Sequence, residues 1–433
     1  MTSHIVNKAA PNAPYFTPAQ EPPAGTAVDP ASAPTLFQPL KIRGLEFQNR
    51  FAVAPMCQYS SQDGHMSDWH FAHLSQLILR GVPLTFTEAT SVTFNGRITP
   101  EDLGLWKDSQ ITGFKRVADF AHSQGQKFGV QLAHAGRKAT TVAPWLKPAG
   151  CLGLTAAPEN GGWGDNVWAP SAIKFTDGFP DPKEMTLDDI KALVQAFADA
   201  AKRAVTAGVD VVEIHAAHGY LLSEFFSPLS NKRTDQYGGS FENRTRVLFE
   251  VIAAVRAVIP ESMPVFVRIS ATEWMESAGE PSWDINESIR LAKLLPAAGV
   301  DLLDVSSGGN NADQQIDFHP YYQINLAGAI REALIKAGGP RVLIGAVGLV
   351  TTAETARSIV QEGKQLATGA AVNDDVTTAP EESGTATHCD VVLVAREFLR
   401  DPNFVLRAAH QLGVEVKWPN QYHRAGWHKG QKI

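Results

Sequence analysis

The sequence predicts an α/β protein built as a single (β/α)8 barrel, and three observations carry that prediction. From Leu36 onward, short apolar runs of strand length alternate with amphipathic segments of helix length. The alternation repeats eight times, the count that closes a parallel sheet on itself with helices outside. The same alternation builds open doubly wound sheets, but no G-x-G-x-x-G follows the first strand and no P-loop pattern occurs. A length of 433 residues suits one barrel with insertions.

Taken in order, residues 1–34 are rich in Ala and Pro, with Lys8, Glu21 and Asp29 as their charged residues. Such a stretch has little apolar surface to bury and is expected to be a flexible arm ahead of a barrel domain over 35–433. It lacks the apolar core of a signal peptide and the arginines of a transit peptide. Strands are expected at Phe51–Ala54, Leu84–Glu88, Lys127–Leu132, Val209–His215, Val265–Ile269, Leu302–Ser306, Val342–Ala346 and Val391–Val394. The third helix is the clearest: Thr186 is an N-cap, Asp188 and Asp189 meet the positive helix end, and Ile190, Leu193, Val194, Phe197 and Ala201 share one face before Gly208 stops it. The fourth starts near Ser240, carries Leu248, Val251, Ile252 and Val255, and ends before Pro260. Two connections exceed ordinary turns. His134 to Met185, with Trp145, Trp163 and Trp168, is expected to form an enlarged, structured lid after strand three. Lys364 to His388, acidic and without aromatics, is expected to be a long surface loop before strand eight.

Composition narrows the function. A net charge of -7 argues against nucleic acid and against a polybasic membrane surface. No apolar run reaches the ~18 residues of a membrane helix. Cys57, Cys151 and Cys389 are too few and too scattered for a disulfide scaffold, which fits a reducing compartment; a cytoplasmic location is expected.

Active sites of such barrels lie at the carboxyl ends of the strands. Those ends read Pro55-Met56-Cys57-Gln58-Tyr59, Glu88-Ala89, Gln131 running to His134, His215-Ala-Ala-His218-Gly-Tyr220, Arg268, Ser306-Ser307-Gly308, Gly345-Ala-Val-Gly348 and Ala395-Arg396. Any one of these polar groups is explained as readily by a neighbouring backbone partner. Several at the same end of consecutive strands point to a site. A buried Arg268 needs an anionic partner, from the protein or from a ligand. His215 and His218 together suit one substrate oxygen. Read as a metal pair they lack a third ligand, because Glu213 shares the parity of His215 one layer lower; no metal is expected. Tyr220, with an unperturbed pKa near ~10, is protonated at neutral pH and suits an acid. Gly345, Gly348, Ala395 and Arg396 follow strands seven and eight, where barrels often hold phosphate.

These residues carry a resemblance. The runs Ala54-Pro-Met-Cys-Gln-Tyr-Ser-Ser61, Gln131-Leu-Ala-His-Ala-Gly-Arg-Lys138, Glu213-Ile-His-Ala-Ala-His-Gly-Tyr220, Ser227 to Arg244, Phe266-Val-Arg268 and Arg396 to Pro402 resemble the old yellow enzymes, above all their thermophilic-like subclass, over Leu36 to Trp427. The resemblance implies non-covalent FMN, NADPH as reductant, and reduction of the C=C bond of α,β-unsaturated carbonyl compounds, enones or enals. It implies FMN contacts at Pro55, Met56, Cys57, Ala89, Gln131, Arg268, Ser307, Gly308, Ala395 and Arg396. By the same token His215 and His218 would hold the substrate carbonyl, Tyr220 would give the proton and Tyr59 would help position substrate. A homo-oligomer is expected, with Arg424 reaching a substrate site in its own or a neighbouring subunit. Ala395 replaces a usual glycine, and Ala425 is an extra residue beside Arg424. A family member with one dedicated biosynthetic substrate, a flavin oxidase, a flavin-binding redox sensor using Cys57 and a metal-dependent lyase are the rival readings.

Overall fold

The computed structural model describes residues 6–361, 387–427 and 431. Its centre is a closed eight-stranded parallel barrel in the order β10-β11-β12-β3-β4-β5-β8-β9. The strands are β3 (Phe51–Val53), β4 (Leu84–Ser91), β5 (Lys127–Ala133), β8 (Val211–Ala216), β9 (Val265–Ser270), β10 (Leu302–Ser306), β11 (Leu343–Val347) and β12 (Val391–Val394). They coincide with the predicted spans except at their ends; β4 and β5 run further toward the mouth. Nearly every strand residue is buried, as expected where one face fills the barrel and the other meets helices.

The outer ring comprises α1 (Asp68–Ile78), α2 (Ile111–Ser123), α3 (Leu187–Thr206), α5 (Phe241–Arg256), α6 (Ile285–Leu294), α7 (Ile324–Ala337), α8 (Ala353–Val360) and α10 (Phe404–Gln411). The predicted N-cap of α3 is realised: Thr186 Oγ1 accepts the Asp189 N–H at 3.2 Å. The one-faced pattern of α3 is buried against the sheet through Ile190, Leu193, Phe197 and Ala201. Two short helices were not foreseen, α4 (Leu221–Phe226) directly after the β8 end and α9 (Arg396–Arg400) directly after β12. Each is shorter than the periodicity needed to read a helix from sequence. A hairpin of β1 (Leu40–Ile42) and β2 (Leu45–Phe47) plugs the amino end of the barrel with Ile42 and Phe47.

The lid over 134–185 is ordered around short turns and two two-residue strands, β6 (Trp168–Ala169) and β7 (Lys183–Glu184). Trp163 is buried, Trp168 stacks on His134 at 5.5 Å, and Trp145 stands exposed with its ring edge-on to Tyr59. The expectation of an arm that buries nothing is corrected. Ala10, Ala24, Ala27 and Ala33 are buried, and the arm pairs with the carboxyl-terminal segment through Ala27 and Val416. Its carbonyls also answer barrel amides: Asn49 Nδ2 donates to Gly25 O at 3.1 Å and Gln126 Nε2 to Ala24 O at 3.1 Å. Small side chains and an open backbone are what this docking uses, so low hydrophobicity was the wrong measure. The predicted loop before β12 lies outside the described residues except at Thr387 and His388. No helix among the described residues is long and apolar enough to cross a membrane.

Candidate active site

Alternate residues of each strand enter the barrel, so its interior is layered. The lowest layer is apolar: Leu84, Phe86, Val211, Phe266, Leu302 and Leu393. Gly345 belongs to it. A Cβ there would lie 2.5 Å from Leu393 and 3.1 Å from Leu302, so this glycine serves core packing, and its expected place at the phosphate end is corrected. The next layer is polar. Gln131 pairs in register with Glu213, and Arg268 pairs with Asp304 on one side and His215 on the other. Gln131 Nε2 donates to Glu213 Oε1 at 2.7 Å. Arg268 Nε lies 3.1 Å from Asp304 Oδ2, an ion pair in which the N–H is not aimed at the oxygen. Thus the anionic partner demanded by a buried Arg268 is supplied in part by the protein. Its two terminal nitrogens have no hydrogen-bond partner among the described residues.

Above this layer stand the predicted triplet. Beyond β8 the chain turns through left-handed backbone at His218 (φ 62°) and Gly219 (φ 68°). Only glycine fits the second position, where a Cβ would lie 2.2 Å from Gly309 O. The turn gathers the three rings: His215 to His218 is 5.2 Å, His215 to Tyr220 is 5.1 Å and His218 to Tyr220 is 6.4 Å between centroids. The Ala217 N–H points at His215 Nδ1 at 3.3 Å, which leaves the ring proton on Nε2. Ser306 Oγ lies 2.6 Å from His218 Nε2 and 3.5 Å from Gln323 Oε1, so the His218 tautomer follows which of the two the hydroxyl donates to. Burial, then the positive charges of Arg268 and Lys138, hold both histidines well below the ordinary imidazole range, with His215 adding to the effect on His218. Both are therefore neutral donors. Burial pushes Tyr220 well above the ordinary phenol range, so it keeps its proton.

Cys57 and Tyr59 face this triplet from the loop after β3; Tyr59 also has left-handed backbone, at φ 50°. Burial, with Asp102 and Glu88 nearby, raises the Cys57 thiol well above its ordinary range. That environment disfavours the thiolate a redox sensor needs. A register shift in β4 between Phe86 and Ala89 turns Glu88 out of the ladder. Its carboxylate accepts the Gln58 N–H and pairs with His70 Nε2 at 2.8 Å, both buried. Lys138, quoted in the sequence without a role, is half-buried, donates to the His218 and Gly309 carbonyls at 2.9 Å each, and places Nζ 5.2 Å over the Tyr220 ring.

At the far end, Ser307 Oγ donates to Gln323 Oε1 at 2.9 Å, and Gln323 Nε2 donates to Val347 O at 2.7 Å. This ties the β10 and β11 ends together beside Gly348, whose φ is 125°. Gly308 has φ 70°, and a Cβ there would meet Gln314 Oε1 at 2.6 Å. Ala395 caps α9, and Arg396 is exposed at its start. Arg424 is not brought to this site. It lies in the turn Asn420–Ala425, whose Tyr422 is covered by Arg80 on the approach to the amino end of β4 and whose Gln421 meets Gln20 of the arm. Sequence reading missed His70, Asp304 and Gln323 as parts of the site, and named Glu88 and Ser306 at strand ends without a role. Asp304 was findable, since it alternates with Ser306 on one strand as Glu213 does with His215.

Comparison with known proteins agrees with this arrangement. A sequence model of the NADH:flavin oxidoreductase / NADH oxidase family matches residues 35–317. A NADH:flavin oxidoreductase of Gibberella zeae is 47% identical over 426 residues, 96% of this chain and 95% of its own. The NADPH dehydrogenase of Bacillus subtilis is 40% identical over 395 residues, 90% and 99% of the two chains. Among solved structures, morphinone reductase superposes with a TM-score of 0.63 at 25% identity, over 89% of this chain and 92% of that one. A 2-naphthoyl-CoA reductase reaches 0.70 at 22% identity over 87% of this chain; the chain spans about half of that larger protein (52%) and shares its fold. The family's cofactor is FMN and its electron source NAD(P)H. The side chains present fit that group: a cation with unpartnered terminal nitrogens at Arg268, an amide at Gln131 and an exposed arginine at Arg396. From the barrel, the triplet and the relatives together, the chain belongs to the NADH:flavin oxidoreductase / NADH oxidase family, the old yellow enzymes.

Proposed function

We propose that this FMN-dependent NAD(P)H oxidoreductase is an ene-reductase acting on α,β-unsaturated carbonyl compounds. The single observation that carries the reading is the convergence of two neutral imidazole donors and one protonated phenol beside the free end of Arg268. Bound non-covalently, FMN would supply the hydride chemistry, with NAD(P)H as its reductant. Arg268, through its terminal nitrogens, and Gln131 would hold the ring. Pro55, Met56, Cys57 and Ala89 would line the ring site, and Ser307, Gly308, Gly348, Ala395 and Arg396 would hold the phosphate.

His215, through Nε2–H, and His218, through a ring N–H, donate to one substrate carbonyl oxygen. Charge grows on that oxygen as hydride arrives at the β-carbon, so these bonds strengthen in the transition state. Losing either donor is expected to cost about 3–4 kcal/mol of barrier. Tyr220 O–H gives its proton to the α-carbon, and Tyr59 bounds the substrate from the loop after β3. Lys138, held by two carbonyls, fixes the His218 turn and keeps a cation over the phenol ring.

The test is stopped-flow spectroscopy. Purified protein is expected to be yellow and to release FMN on denaturation, NADPH is expected to bleach it, and 2-cyclohexen-1-one is expected to restore the colour faster than oxygen does. Tyr220→Phe leaves the bleaching intact and slows recolouring by about 10²–10⁴-fold with weakly activated alkenes. Equal recolouring in the variant removes Tyr220 as the acid; reoxidation by oxygen alone favours an oxidase.

A further inference from the structure

The polar layer beneath the triplet holds two carboxyl groups and one cation. Glu213, Asp304 and Arg268 are all buried, and they meet through the register of β8, β9 and β10. We propose that Glu213 and Asp304, sharing Arg268, form a proton-binding pair under the flavin site, and that Glu213 takes up a proton when negative charge is placed on the outer end of Arg268. The inference rests on the flavin reading above and deepens it.

The geometry divides the two carboxyls. Asp304 has the guanidinium at 3.1 Å. Neither Asp304 oxygen accepts an aligned hydrogen bond, but the ion pair answers its charge; Glu213 has the Gln131 amide N–H on Oε1, a buried Oε2 without a partner, and no cation in contact among the described residues. A bare carboxylate oxygen in such a place is costly, and a proton on it removes most of that cost. Around Glu213 stand Gln131 from β5, Arg268 and Phe266 from β9, Asp304 from β10, and Val211 and His215 of its own strand. His215 is neutral, so Arg268 and Asp304 are the charges that bear on it. Burial raises both carboxyls, the like charge of Asp304 raises Glu213 further, and Arg268 draws both back.

Arg268 is thus contested from both ends. Two electrons from NADPH or dithionite and one proton turn a neutral flavin ring into an anion, which competes with the carboxyls for the guanidinium. Glu213 then binds one further proton from solvent, and the charge gained by the ring is balanced within the layer. On the alkaline side, where Glu213 is ionised while the ring is oxidised, reduction draws two protons per electron pair in place of one.

The experiment is potentiometry of the FMN-loaded protein from pH 6 to 9.5. One proton per two electrons gives a slope of about 30 mV per pH unit, a tenfold change in proton activity at two electrons; two protons give about 60 mV. The wild-type line is expected to steepen by that factor of two on its alkaline side. Glu213→Gln, which keeps shape and volume, is expected to hold the single slope there. Asp304→Asn leaves Arg268 to Glu213 alone and is expected to move the break to lower pH. A wild-type line without the alkaline break, a break retained in Glu213→Gln, or one unmoved in Asp304→Asn overturns the proposal. Reduced-minus-oxidised infrared spectra give a readout without turnover: a protonated-carboxyl C=O band appears on reduction of the wild type and is missing in Glu213→Gln. Protein that binds no FMN sinks the flavin reading instead, so the two failures are distinct.

Discussion

At the scale of single residues, the site works by keeping ionisable groups in the uncharged form. His134 and His73 share the fate of the catalytic pair: burial lowers His134 to about 3 and, with His70 nearby, His73 to about 4. In the unfolded chain each imidazole titrates near ~6.5. Below that pH the unfolded chain binds protons that the folded one refuses, so stability is fully present above about 6.5 and falls as pH drops toward the folded values. Each refused proton costs about 1.4 kcal/mol per pH unit across that window. Buried carboxyls such as Glu213 and Asp304 are shifted the other way and oppose this, so the histidine share is read by difference: in urea unfolding, His134→Gln is expected to gain midpoint relative to the unaltered protein on going from pH 7 to pH 5, with an unchanged m-value. A variant whose midpoint runs parallel to that of the unaltered protein would mean that the ring charges freely in the folded state. The identities of His215, His218, Tyr220 and Arg268 were legible in the sequence because strand ends in a barrel converge by construction. Their protonation states were not, since those depend on neighbours such as Ser306 and Lys138 that come from other strands and loops.

At the scale of elements, the strands and the longer helices were readable because period and capping are local. The loops that aim the site were less so. The β3–α1 loop carries both Cys57 and Tyr59, and what fixes it is Glu88, a residue read only as the end of a strand. The register shift in β4 reverses its direction, and no sequence pattern announces such a shift. Glu88 then answers the Gln58 N–H and His70 Nε2, while the Ser67 N–H donates to His70 Nδ1 at 3.0 Å. The result is a buried brace from β4 through α1 to the loop. Glu88→Ala leaves the Gln58 N–H and the His70 ring N–H without their acceptor and is expected to cost about 1–3 kcal/mol for each donor left buried. Glu88→Gln keeps an acceptor for the loop and is expected to cost less. Differential calorimetry of the two variants checks the order, and a substrate KM that rises in Glu88→Ala with kcat held would tie the brace to Tyr59.

At the scale of the whole molecule, the barrel is closed by its own strands, and the chain ends act as a clasp across its amino-terminal side. The arm was misjudged from its composition because its contribution is polar as well as apolar. Gly25 N–H donates to Lys417 O and Lys417 N–H to Thr26 O, at 2.9 and 2.8 Å. Asn420 N–H donates to Gln20 Oε1, and its side chain donates to Ala19 O. The barrel amides of Asn49 and Gln126 end on arm carbonyls. Removing residues 1–27 uncovers Asn49, 1% exposed in the intact chain, and Gln126, also 1% exposed. Solvent then answers part of what the arm answered, and each donor left buried without a partner costs about 1–3 kcal/mol. The truncated protein is expected to unfold at a temperature lower by several degrees while binding FMN with unchanged affinity, because the clasp and the carboxyl-end site lie at opposite ends of the barrel. Thermal unfolding and flavin titration of the two lengths test both halves. An unchanged unfolding temperature would return the arm to the status of a tether. A lost flavin affinity would show that the clasp reaches through the barrel to the site.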